Sequence, residues 1–129
     1  MSNQAFLPEV AVNDHGVVAV LYYDWRVDEP DDVPLSTQVH VAFFDTEDLS
    51  FLGEQTTSPT FDPRSAPRAP LAYFPGDYVV FTTGGDDFLA AFTMTNPVGR
   101  DEHPQQQGLH LVVDAQDRQD VWFARVLCC

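Results

Sequence analysis

A chain of 129 residues can hold one domain with a real core. Twenty acidic residues face six basic ones, all six of them arginine, for a formal net charge of -14. That charge repels phosphate backbones and anionic membranes, which argues against nucleic-acid binding, and no apolar run approaches the ~18 residues that would predict membrane insertion.

In chain order, Met1–Phe6 shows neither a basic n-region nor an apolar h-region, so no signal peptide is expected. Pro8–Val12, the turn Asn13–Gly16 and Val17–Tyr23 then predict strand, tight turn, strand. An acidic loop containing Asp28, Glu29, Pro30, Asp31 and Asp32 leads to a third strand, Gln38–Phe44, and Phe51–Thr57 is consistent with a fourth. Prolines 59, 63, 67, 70 and 75 mark a connection, with the linker placed at about residues 58–70.

The order then recurs: Tyr78–Phe81, a turn over Thr82–Asp86, and Phe88–Phe92. Asp86 and Asp87 could cap a short helix at this point, but the Gly84–Gly85 turn together with Thr93 and Thr95 favours a strand. A polar excursion, Asn96–Gly108, precedes a last strand at Gln119–Val126. Two blade-like units, about 8–57 and 71–126, make the chain all-β. Val17–Tyr23 is continuously apolar, and Val39–Phe44 is interrupted only by His40. Such runs predict strands covered on both faces, as when sheets stack like blades.

Strand alternation sorts the loops between two ends. One end receives Asp24–Trp25–Arg26, the acidic loop, Gly76–Asp77–Tyr78 and the 96–108 excursion, while the short turns Asn13–Gly16 and Thr82–Asp86 fall at the other. Long polar loops gathered at one end of a rigid scaffold mark the expected working face.

Tyr22–Arg26, Phe74–Tyr78 and Asp120–Val126 resemble the C-terminal blades of sialidase-like β-propellers, the BNR-repeat (Asp-box) proteins. The resemblance spans roughly Pro8 to Val126 without the 96–108 excursion. The stretch standing at the Asp-box is Phe44–Phe51, where only Ser50 and Phe51 fit the closing Thr-Trp of the family pattern. It implies about two antiparallel blades of a propeller, and a parent protein that is an exo-acting glycosidase of the sialidase type. Sialidase chemistry uses converging arginines for the substrate carboxylate, a Tyr nucleophile with a carboxylate base, and an Asp acid/base. The blades that carry the arginine motif and the acid/base Asp have no counterpart in this sequence.

The catalytic candidates implied are therefore Asp24, Arg26, Asp77 and Tyr78, with Trp25, Arg26, Asp77 and Tyr78 as ligand-binding candidates. Each has a plainer reading. Arg26 can pair with Asp24 two residues back, and Asp77–Tyr78 can be a turn followed by a buried aromatic. Asp28, Asp31 and Asp32 are candidates for Ca²⁺, yet they lack the spacing and glycine of a calcium loop, which favours a solvated loop and no cofactor. His15, His40, His103 and His110 show no metal-ligand spacing, and Cys128–Cys129 form neither a disulfide framework nor a CxxC pair. The alternative to an enzyme is a non-catalytic blade pair binding a glycan or a protein, with self-association through uncovered blade faces.

Overall fold

The computed structural model describes residues 4–31, 35–66, 68–69, 72–73, 79–95 and 119–128. The strands are β1 (Ala5–Val12), β2 (Val17–Asp24), β3 (Gln38–Asp45), β4 (Phe51–Thr56), the short β5 (Arg68–Ala69) and β6 (Ala72–Tyr73), then β7 (Val80–Gly84), β8 (Asp87–Thr95) and β9 (Gln119–Val126). β1-β2-β3-β4 form a four-stranded meander, β7-β8-β9 a three-stranded one, and β5-β6 a two-stranded pair. Every pairing is antiparallel. The segment 87–95, open to a helical reading from its leading aspartates, is strand β8; its alternation of buried and half-buried positions has the two-residue period of a strand. No helix among the described residues is long and apolar enough to cross a membrane.

The two larger sheets lie face to face. Ala19, Leu21 and Tyr23 of β2 with Val39, Val41 and Phe43 of β3 pack against Phe81 of β7, Phe88, Ala90, Phe92 and Met94 of β8, and Val126 of β9. Aromatic rings carry much of the contact. Phe43 meets Phe88 at 5.9 Å, and Tyr23 meets Phe92 edge-on at 6.4 Å, both within the range of favourable ring pairs. The Tyr23 hydroxyl crosses the interface to donate to the Thr93 carbonyl at 2.9 Å, satisfying the one polar atom of an otherwise apolar side chain.

The connection after β4 is more than a spacer. Phe61 is fully buried among the core residues, edge-on to Tyr23 at 6.1 Å. Its backbone exchanges two hydrogen bonds with Thr37. Asp62 caps the short 3-10 turn Pro63–Ser65, and its carbonyl accepts from the Thr95 hydroxyl at 2.8 Å. This stretch of the proline-rich segment thereby fastens the end of β8 to the first sheet.

At one end, the tight turns meet. The buried Asn13 accepts from the His15 and Val17 amides through Oδ1 and donates through Nδ2 to the Asp86 carbonyl at 2.8 Å. Gly16 holds φ at 72°, and Thr46 donates to its carbonyl from both amide and hydroxyl. The β3–β4 loop is therefore laced to the β1–β2 turn. Asp45 and Asp48 each accept an amide two residues ahead, the short local bonds typical of aspartate in turns. β1 and β7, the first strands of the two sheets, run beside one another.

Candidate functional site

The outer face of the first sheet divides into an apolar half and a charged half. Register sets Val10 and Val12 of β1 beside Val20 and Val18 of β2, and these beside Ala42 and Phe44 of β3. Phe44 continues to Phe51 of β4, ring to ring at 5.8 Å. Towards the end of β2 the same face changes character, and Tyr22, Asp24, Arg26, His40, Glu54 and Thr56 converge.

The cluster follows from a period of two on three paired strands. Tyr22 and Asp24 fall on one face of β2; Tyr22 pairs with His40 on β3, and His40 pairs with Thr56 on β4. Arg26 lies just past β2 and turns back over it. Its Nε donates to Asp24 at 2.6 Å, Nη1 and Nη2 donate to Glu54, and Nη2 also donates to the Tyr22 hydroxyl at 2.9 Å. The Tyr22 hydroxyl donates in turn to the Glu54 carboxylate. His40 is 1% exposed, with Nε2 3.1 Å from Asp24 and Nδ1 3.1 Å from the Thr56 hydroxyl.

Protonation in this cluster is set by burial and by Arg26. The Glu54 hydrogen bond first, with Asp24 and Tyr22 adding to it, pushes the Arg26 guanidinium to still greater basicity. Arg26 holds the Glu54 carboxyl below its ordinary range. Burial lowers the affinity of His40 for a proton, against the pull of Asp24. Loss of water around the phenol, followed by its bond to Glu54, raises Tyr22. Near neutrality the cluster thus holds a neutral imidazole at His40, a protonated phenol at Tyr22, and the Arg26 guanidinium paired with an ionised Glu54.

Asp24 and Arg26 are brought together, as an ion pair. Every nitrogen of the guanidinium faces an acceptor within the cluster, so Arg26 in this arrangement offers no free fork to a substrate carboxylate. Trp25 is half-buried with its ring against Phe6 at 5.1 Å, and its indole nitrogen has no hydrogen-bond partner among the described residues. A bulge in β1 between Phe6 and Glu9, with Leu7 at φ 51° and Pro8 following, sets Phe6 on both Trp25 and Tyr23. Pro8 is accommodated because β1 is the sheet edge, where a missing N–H breaks no ladder bond.

Asp28 spends a carboxylate oxygen on the Ser36 amide at 2.8 Å, closing its own loop, and Asp31 is exposed. Among the described residues no group of three or more His, Cys, Asp or Glu side chains is placed to hold a metal ion. Asp32, Asp77, Tyr78 and the 96–108 excursion lie outside the described residues. Sequence reading reached two of the six cluster members. His40, Glu54, Thr56 and Tyr22 were missed as partners, although the single polar residue inside the apolar run 39–44 was the available signal.

No family model matches the chain, and neither a curated protein nor a solved structure matches it.

Proposed function

We propose that the chain is a pair of consecutive blades of a sialidase-like β-propeller, without glycosidase activity of its own, that presents a glycan- or protein-binding end and seats neighbouring blades on its outer faces. The observation that carries this reading is the stacking of two antiparallel meanders, core face to core face with first strands adjacent, while apolar residues remain on both outer faces. Consecutive blades of a propeller meet in this manner. On the second sheet Val80, Ala91 and Phe123 form one cross-strand row and Thr93 and Val121 another, with Val121 73% and Phe123 70% exposed. On the first, Val10, Val12 and Phe51 are exposed. Light scattering of the purified chain tests the reading. Self-association that Val121→Glu with Phe123→Glu suppresses is the expected result, and a clean monomer with a cooperative melt would overturn it.

One observation favours the glycosidase reading of the parent protein. Tyr22 donates to Glu54 beside Arg26, which joins a phenol, a carboxylate base and a guanidinium, the parts that a tyrosine-nucleophile glycosidase requires. Release of fluorophore from a fluorogenic sialoside, lost in Tyr22→Phe and in Glu54→Gln, would support this second reading. No release by a well-folded chain supports the non-catalytic one.

A further inference from the structure

Across β2, β3 and β4 the buried His40 joins a buried acid to the hydroxyl of an exposed residue. Asp24, 3% exposed, faces His40 Nε2 at 3.1 Å, and a carboxylate only accepts, so Nε2 carries the proton. The neutral ring then presents a lone pair at Nδ1, and the Thr56 hydroxyl, 3.1 Å away, donates to it. The tautomer is locked, because the second oxygen of Asp24 is held by Arg26 Nε at 2.6 Å and cannot swing away. Thr56 ends the edge strand β4 and is an exposed residue. Burial keeps His40 unprotonated near neutrality, the state in which it can take a proton. Glu54 Oε1, 3.9 Å from Nδ1, would stabilise the imidazolium once formed.

We propose that Thr56 is a nucleophilic hydroxyl with His40 as its general base and Asp24 as the positioning residue, and that it accepts an acyl group from small, uncharged, activated esters. Such relays are recognised by geometry and roles, and here acid, base and hydroxyl occur in that order from interior to surface. In the step, Thr56 Oγ1 bonds to the ester carbonyl carbon while its proton passes to His40 Nδ1. The bond from that carbon to the leaving oxygen breaks, and the oxygen departs with the electron pair, taking the proton back from His40 when it is basic enough to need it. The products are acyl-Thr56 and the alcohol or, for a weakly basic leaving group such as nitrophenolate, its anion, with the proton passed from His40 to water. A water that gives its proton to His40 then attacks the acyl carbon, the bond to Thr56 Oγ1 breaks, Oγ1 takes that proton back from His40, and the carboxylic acid leaves. Arg26 is engaged by Asp24, Glu54 and Tyr22, so it contributes its positive charge and no free donor to the developing oxyanion. Asp24, Glu54 and the net charge of -14 disfavour anionic esters.

p-Nitrophenyl acetate is the probe, read by nitrophenolate release and by mass mapping of the acetylated chain. The expected result is an acetyl group on Thr56, formed faster as pH rises through the titration of His40. Thr56→Ser keeps the adduct, Thr56→Val removes it, and His40→Gln slows its formation by roughly a hundredfold. Asp24→Asn flattens the pH profile. Thr56→Val removes one hydroxyl from an edge-strand residue and no apolar core contact, so it stays informative even where His40→Gln fails to fold. Acetyl groups only on Cys128, Cys129 or the N-terminus, or a Thr56 adduct whose rate ignores the state of His40, would overturn the proposal. Neither result bears on whether the chain self-associates, which decides the blade reading.

Discussion

His40 and Gly16 show how single residues set the conditions of folding. Burial depresses the proton affinity of His40 below the ordinary 6.5, so the unfolded chain binds a proton there before the folded one does. The stabilising effect of the neutral ring is complete above pH 6.5 and is lost as pH falls from that value towards the folded pKa. Glu54, held below its ordinary 4.5 by Arg26, contributes stability that disappears at lower pH still, as acid reaches its depressed folded value. Urea midpoints measured between pH 7 and pH 4 should therefore fall, and His40→Gln should lose the upper part of that dependence. An identical slope in the variant would refute the assignment. Gly16 sits at φ +72°, and a Cβ built there would lie 2.9 Å from the Thr46 hydroxyl. Gly16→Ala combines left-handed strain with displacement of the Thr46 bond to its carbonyl, and a loss of about 1–3 kcal/mol is expected in denaturant unfolding.

Among elements, β2 and β8 bear the joint between the sheets. Phe92 is 2% exposed at the centre of that joint, in contact with Tyr23, and Phe92→Ala should cost about 3–5 kcal/mol, measured as a shift in urea midpoint at unchanged slope. Tyr23→Phe removes only the bond to the Thr93 carbonyl and should cost about 1 kcal/mol near neutrality. Burial pushes the Tyr23 phenol up to about 12, so wild-type stability falls as pH rises from 10 towards that value. Tyr23→Phe should blunt this alkaline loss. An equal loss in both proteins would show that another group causes it. These strands were legible in the sequence: β2, β3 and β9 are dense in β-branched and aromatic residues and bounded by turn residues. β8 is legible from its glycine turn and its threonines. Phe61 was not legible as core, because only its bridge to Thr37 carries it inward from a proline-rich stretch.

For the whole molecule, the main tension lies between apolar outer faces and a charge of -14. Apolar faces favour association, while like charge opposes it over about a Debye length, ~10 Å at 0.1 M salt. Raising the salt concentration from low values should therefore increase the scattering mass of the chain, with little further change once screening is complete. A mass indifferent to salt would count against association through these faces. The candidate site belongs to the same scale, since its six side chains are drawn from β2, β3, β4 and the turn after β2. Asp24 and Arg26 are near neighbours in sequence and could be paired by inspection. Glu54 is 28 residues from Arg26, and only strand register joins them.

The amino-acid sequence by itself determined that this protein is all-β, where its main strands and tight turns fall, and that its sheets present apolar residues on both faces. Those properties are local, written in periodicity, turn chemistry and the density of Val, Phe and Tyr. Which faces meet, and what gathers on the face left outside, was decided by tertiary structure. A strand's two-residue period names two faces without saying which is covered, and only the packing of Tyr23, Phe43, Phe88 and Phe92 makes that choice. The same choice leaves Tyr22, His40 and Thr56 in one cross-strand row with Asp24 diagonal to His40, because residues far apart in the chain become neighbours only through the register of paired strands.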